Sequence, residues 1–271
     1  MYSFLFLAAM VFYFISAVFF VIFVVNKNSF LSKAAPFLAV CGFSAQTLSL
    51  ALRTLMSGVP PLSNLYESMV IFSWMTVLVF LLIKRLFKIN IAGAFILPLV
   101  FLITGYASLL DDAVAPLMPA LRSYWLVIHV SSCFLGYACF ACAFSLGLMY
   151  LLQERQVKLK KIGRLFDRLP ALHTLDRVNY NMVLFGFVFL TVGIMTGSVW
   201  AQQAWGRWWS WDPKETWSLI TWLIYAAYLH ARLSSGWRGR KTAILSIGGF
   251  VSVLFTYLGV SFLLPGRHAY L

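Results

Sequence analysis

Eight apolar stretches, each long enough to cross a bilayer as a helix, constrain this chain more than any other feature of its sequence. They fall at about 4–25, 36–56, 66–83, 91–110, 123–153, 181–200, 213–231 and 242–263. Backbone polar groups inside lipid must be satisfied within the segment itself, so each stretch is expected as an α-helix. The fold class this implies is all-α: a polytopic integral membrane helix bundle of about eight transmembrane helices. With 62% of the 271 residues hydrophobic and 11% charged, no separate soluble domain fits, and residues 1–271 are expected to form a single transmembrane domain.

A net charge of +13 would suggest a nucleic-acid partner in a soluble protein. Here 16 of the 21 Lys and Arg residues lie in the connections 26–35, 84–90, 154–180 and 231–241. The positive-inside rule puts these four in the cytoplasm. It puts both termini and the connections near 57–65, 111–122 and 201–212 on the outer, periplasmic or lumenal, side. The charge therefore reports topology, and no nucleic-acid partner is expected. The first apolar run has no basic residue ahead of it and no small-residue cleavage site, and reads as a retained span rather than a signal peptide. The connection 154–180 mixes charge with Leu and Phe, as an amphipathic helix on anionic membrane lipid would.

One outer connection breaks the pattern. "WGRWWSWDPKETW", residues 205–217, sets Trp205, Trp208, Trp209, Trp211 and Trp217 beside Arg207, Asp212 and Glu215. Indole favours the membrane interface, but an interfacial belt spreads over several helix ends. Trp200 and these five crowd one loop, which suits a flat apolar ligand whose anionic edge Arg207 or Lys214 could meet. Tetrapyrroles and quinones both fit, and an iron tetrapyrrole needs axial ligands as well. Asp212, Pro213 and Glu215 read as a helix start: an N-cap, a proline at the first helical position, and the glutamate of a capping box.

Each histidine of a membrane span is a functional candidate. His129 lies about 9 Å, or six residues, inside the fifth span from its outer end. His268 follows the last span in the outer tail "PGRHAYL". Both share a side with the tryptophan loop, and two imidazoles across a plane are what a six-coordinate haem requires. His230 comes 17 residues after Pro213, about 25 Å along the same helix, near the cytoplasmic end. It needs a different partner, and no other span histidine lies at its depth. His173 falls in the basic connection and reads as solvated. The Cys139-x-x-Cys142 pair has no following histidine and, like Cys41 and Cys133, reads as buried small residues. Asn64 and Glu67 read as the cap of the third span. No side chain stands out as catalytic.

Extended to "WGRWWSWDPKETWSLITWLIYAAYLHAR", the tryptophan segment resembles the WWD signature of the haem-handling proteins that mature c-type cytochromes. The stretches "PPLSNLYES", "RSYWLVIHV", "LDRVNYNMVLFGFVFLTVGIMTGSVWAQQAWG" and "YLGVSFLLPGRHAYL" are similar to the CcsA/ResC branch of that superfamily. The resemblance implies the membrane subunit of a CcsB–CcsA (System II) cytochrome c synthase. Such a subunit moves haem b, its transported substrate and bound ligand, to the outer face and presents it to apocytochrome c for thioether attachment at CxxCH. It further implies that His129 and His268 are outer axial ligands flanking a WWD loop at about 201–217, with Trp205, Trp208, Trp209, Trp211, Arg207 and Asp212 at the haem. His230 would be one iron ligand of an inner site whose second ligand comes from a CcsB/ResB-like membrane partner. The chain departs from the branch in its "PGRHAYL" ending, where a "GLHSYG"-like one is expected, and in being shorter than many relatives. A CcmC-like haem exporter to a chaperone and a HemX-like regulatory or scaffold protein are the alternatives within the superfamily. "DPKETW" and eight spans favour the synthase branch over the first, and the intact tryptophan run with three membrane-associated histidines argues against the second. A quinone-binding redox subunit or a small-molecule transporter is the outsider. The expected location is a bacterial inner membrane, the thylakoid being topologically equivalent.

Overall fold

The computed structural model describes residues 1–26, 28–113, 122–160, 163 and 166–264. It is helical throughout, with no strand among the described residues. The long helices are α1 (Tyr2–Val25), α2 (Ser29–Ser57), α3 (Leu65–Phe87), α4 (Asn90–Ala107), α5 (Tyr124–Lys158), α6 (Leu172–Trp205), α7 (Pro213–Ser234) and α8 (Arg240–Leu263). Seven of these are long and apolar enough to span a membrane. The exception is α7, which carries Lys214, Glu215, His230 and Arg232 among its aromatics. Its 22 residues still reach about 33 Å, against a hydrocarbon core of about 30 Å.

Two helices are longer than their apolar stretches. α6 starts at Leu172 rather than near 181, because Asp176 and Asn179, which end the hydropathy signal, are satisfied by neighbouring helices rather than by water. α5 likewise continues to Lys158. Between them the described residues of 159–171 form turns rather than the expected amphipathic helix, and the Arg168 guanidinium lies 4.3 Å from the centre of the Phe23 ring.

The chain divides into two compact units, Met1–Ala115 with Met149–Leu175, and Pro116–Leu148 with Asp176–Leu271. In the first, α1 packs on α2 and α4, and α3 packs on α4. Gly42 and Gly93 supply the close approaches. A Cβ on Gly42 would lie 2.6 Å from the Tyr13 ring, and one on Gly93 2.4 Å from that of Phe20. The Tyr13 hydroxyl donates to Gln46 (2.7 Å), whose amide donates to the Val70 carbonyl (3.0 Å) and to Ser73 (2.8 Å). At the outer end of this unit Arg53 and Glu67 form a buried ion pair at 2.7 Å, with the guanidinium over the Tyr2 and Tyr66 rings. Asn64 caps α3 through the Glu67 amide, as its sequence suggests. Glu67 does more than terminate a helix, accepting from Arg53 and from the Ser63 amide and hydroxyl.

In the second unit α5, α6, α7 and α8 meet at Asn179, which is 3% exposed. Its amide donates to the Ala143 carbonyl of α5 (2.7 Å) and to Ser246 of α8 (3.0 Å), and it accepts from the Tyr228 hydroxyl of α7 (2.9 Å). One turn earlier on α6, Asp176 accepts both terminal nitrogens of Arg232 (2.9 and 2.8 Å), the Gly239 amide and the Thr242 hydroxyl. A π-helical turn at Phe255–Gly259 interrupts α8. It presents Phe255 to Trp217 (centroids 4.2 Å apart) and Tyr257 to Phe134 (5.4 Å).

Asn179→Leu removes all three hydrogen bonds while keeping the volume. Because polar contacts between membrane helices are worth about 0.6 kcal/mol each, with a maximum near 1.7, a loss of about 2–4 kcal/mol is expected. Detergent-denaturant titration of the purified protein checks this, and a lipid-facing substitution such as Met195→Leu, at a residue 65% exposed, should leave the midpoint unchanged.

Candidate functional site

The outer end of the second unit is built from three parts: the top of α5, the last turns of α6, and the loop leading into α7. α6 stops at Trp205 because Gly206 turns left-handed at φ 72°. A second left-handed residue, Trp211 at φ 59°, ends the loop immediately before the α7 cap. Between them the chain folds back, and the Ser198 hydroxyl donates to the Trp208 carbonyl at 2.5 Å.

The expected capping box is present. Asp212, buried, accepts from the Lys214 amide at 3.0 Å, and Glu215 returns to the Asp212 amide at 3.2 Å. Glu215 also reaches into the loop, where the same oxygen accepts from the Ser210 amide (2.7 Å) and hydroxyl (3.2 Å). One carboxylate therefore ties the tryptophan loop to the first turn of α7. Two roles follow for the charges of this segment: Asp212 and Glu215 anchor the loop, whereas Arg207 is exposed.

The tryptophans divide into two groups. Trp208 and Trp211 are 57% and 68% exposed, and Trp209 meets Trp211 edge to face at 5.8 Å. Trp205 packs edge to face on Trp200 at 4.7 Å, and Trp200, 4% exposed, lies nearly parallel to the His129 ring at 6.2 Å and 12°. The structure thus sets His129 beside an indole pair at the end of α6, from which the tryptophan loop leads off. His129 is half-buried. Its Nδ1 lies 2.6 Å from the Gly193 carbonyl oxygen and 3.7 Å from Cys133 Sγ.

The other candidates are placed as follows. His230 is exposed on α7, with Nδ1 3.4 Å from the Ser234 hydroxyl. His173 is exposed, beside Thr174. His268 lies outside the described residues. Cys139 and Cys142 are buried thiols, but Cys41 and Cys133 are only half-buried, and Cys133 stands next to His129 rather than in an inert core.

Sequence reading missed Gly193 and Gly197. A Cβ on Gly197 would come 2.5 Å from His129 Nδ1, and one on Gly193 2.5 Å from Cys133 Sγ. The signal was available as G-x-x-x-G on α6, the spacing that lets membrane helices approach closely.

The family model described as cytochrome C assembly protein matches residues 62–268. Fold and match together define an integral membrane protein of cytochrome c maturation, the process that joins haem to apocytochrome c. Proteins described as cytochrome c biogenesis protein CcsA are similar over most of their length. That of Prochlorococcus marinus (strain MIT 9301) is 40% identical, covering 83% of this chain and 80% of the relative. That of Trieres chinensis is 39% identical, covering 80% of each, and that of Pyropia yezoensis 37% identical, covering 89% and 88%. The chain belongs to the CcsA family of cytochrome c assembly proteins. Among solved structures, the cytochrome c haem lyase CcmF shares the fold with a TM-score of 0.68 at 18% identity, over 95% of this chain. This chain spans about half of that one, 46%.

Glu215→Ala removes both contacts to Ser210 in the loop and half of the capping box. The expected outcome is a cap loss of about 1 kcal/mol and a loop that opens. Limited proteolysis within 206–212 should become at least tenfold faster while the helical circular dichroism is retained.

Proposed function

We propose that this chain is the haem-presenting membrane subunit of a CcsB–CcsA cytochrome c synthase. The observation that carries the proposal is the continuity of His129, Trp200 and Trp205 into a capped loop whose Trp208 and Trp211 stand open. The residues present suit haem b. One imidazole is available for iron, indole faces are available for the macrocycle, and the exposed Arg207 is available for a propionate. His268 is proposed as the second outer ligand. Trp209 and Asp212 complete the loop, Asp212 acting as the cap that fixes it.

His230 is proposed as one ligand of an inner site, its partner supplied by a CcsB-like subunit. Its exposure is consistent with a ligand completed by a second protein. In the proposed reaction an apocytochrome presents CxxCH at the outer face. Each thiol adds across one haem vinyl group, forming a C–S bond and placing the thiol hydrogen on the neighbouring vinyl carbon. No net oxidation occurs, and this chain's task is to hold and orient the haem edge. The proposed location is a bacterial inner membrane, with the outer loop in the periplasm.

The test is co-expression of this chain, the CcsB-like partner and a CxxCH reporter in a strain lacking its own maturation system. Covalent haem on the reporter is expected, and a reporter left as apoprotein overturns the synthase reading. His129→Ala should lower both covalent haem and the haem that copurifies by at least tenfold, whereas His173→Ala should change neither. His230→Ala should deplete haem only when the partner is present.

A further inference from the structure

The geometry points to the main-chain carbonyl of Gly193 as the group that selects the tautomer of His129 and aims its Nε2 at the outer ligand site. A carbonyl oxygen can only accept, so a ring nitrogen 2.6 Å from it must be the one that carries the hydrogen. In the neutral ring the lone pair then sits on Nε2. That is the tautomer that can ligate iron through Nε2, and the Gly193 carbonyl selects it. Hydrogen bonding at the distal ring nitrogen also makes an imidazole a stronger electron donor to its metal.

Three further features keep the ring in that pose. Gly197 leaves the space it occupies, since any Cβ there would fall 2.5 Å from Nδ1. Trp200 lies parallel to it on α6, and Cys133, one turn along α5, stands 3.7 Å from the same nitrogen. The Gly193 carbonyl also accepts from the Thr196 hydroxyl at 3.2 Å, which holds it in a fixed polar environment. The glycine pair is therefore a cradle for the histidine as well as a helix-packing motif: Gly193 makes room for Cys133, and Gly197 makes room for His129. His230 differs, because its Nδ1 faces the Ser234 hydroxyl, which can donate or accept and so leaves the tautomer unselected. The outer ligand is preset and the inner one is not.

This inference rests on His129 being a haem ligand, and the experiment separates the two. His129→Gly is prepared as the full chain with its copurifying haem, and refilled with imidazole or with 1-methylimidazole, which cannot donate to Gly193. Loss of the low-spin spectrum is expected, with restoration by imidazole. Because loss of an outer partner typically costs 10–100-fold in metal affinity, half-restoration by 1-methylimidazole should need at least tenfold more ligand, measured against the same pair on free haem in the same detergent. Equal concentrations overturn the role of Gly193. An unchanged spectrum in His129→Gly overturns the ligand reading and this inference with it. A second variant, Gly197→Ala, keeps His129 but displaces its ring, and decides the matter if neither small ligand enters. Altered electron paramagnetic resonance g-values and a raised reduction potential are expected there. Gly248→Ala, whose Cβ meets nothing within 4 Å, should behave as the unmodified protein. Native g-values and potential in Gly197→Ala overturn the inference.

Discussion

The second unit depends on a single amide. Lipid solvates apolar side chains as well as a neighbouring helix does, so grease alone does not gather α5, α6, α7 and α8. What does gather them is a polar group that cannot be left unsatisfied in a dry interior. Asn179 is that group, spending its donors and its acceptor on three different helices. Glycines then let the backbones close around it. Gly147 faces Ser246 and the Ala243 carbonyl, and Gly249 faces the Tyr225 ring, which stacks on Phe140 at 3.6 Å. Asp176 repeats the device one turn earlier on α6, joining Arg232, Gly239 and Thr242.

With the four helices fixed in this way, the outer end inherits its precision from below. The register of α5 against α6 is set at Gly136, where a Cβ would lie 3.1 Å from the Gly186 carbonyl, and at Gly186, which admits Phe140. Continuing up the same face of α6 brings Gly193 to Cys133, Gly197 to His129 and Trp200 over the imidazole. The histidine is therefore aimed by a helix pair that is itself locked about three turns deeper. The loop that follows Trp205 is fixed from the other direction, by Asp212 and Glu215 at the start of α7.

Much of this was legible in the sequence, for identifiable reasons. Helix spans announce themselves through hydropathy, and the α7 start through the short-range chemistry of Asp-Pro-Lys-Glu, because both signals are local. Asn179 was not legible. Hydropathy assigns it to the basic connection, since a polar residue just outside an apolar run looks solvated until three partners from distant positions are seen around it. Gly193 and Gly197 were missed for a related reason: a glycine in a span carries no chemistry of its own, and its meaning is whatever side chain stands opposite. The tryptophan run could be seen, but not its division. Nothing local distinguishes Trp200, buried beside His129, from Trp208 and Trp211, which stand open. The comparisons show the family, and so the membrane fold and the role in cytochrome c maturation.

The π-helical turn at Phe255–Gly259 has a consequence for phase. A turn that takes one extra residue sets everything after it back by about 100° of azimuth relative to a continuous α-helix of the same sequence. The residues before the turn present Ser246 to Asn179 and Gly249 to the Tyr225 ring, and those within it present Phe255 to Trp217 and Tyr257 to Phe134. The bulge lies between the packed interior and the end of α8, and it sets the azimuth of Val260–Leu263. For this helix, sequence length is therefore a structural parameter in its own right: removing one residue within the turn lets a regular helix close with everything beyond it still in phase, whereas removing one elsewhere in α8 turns every side chain beyond the deletion, whatever its chemistry.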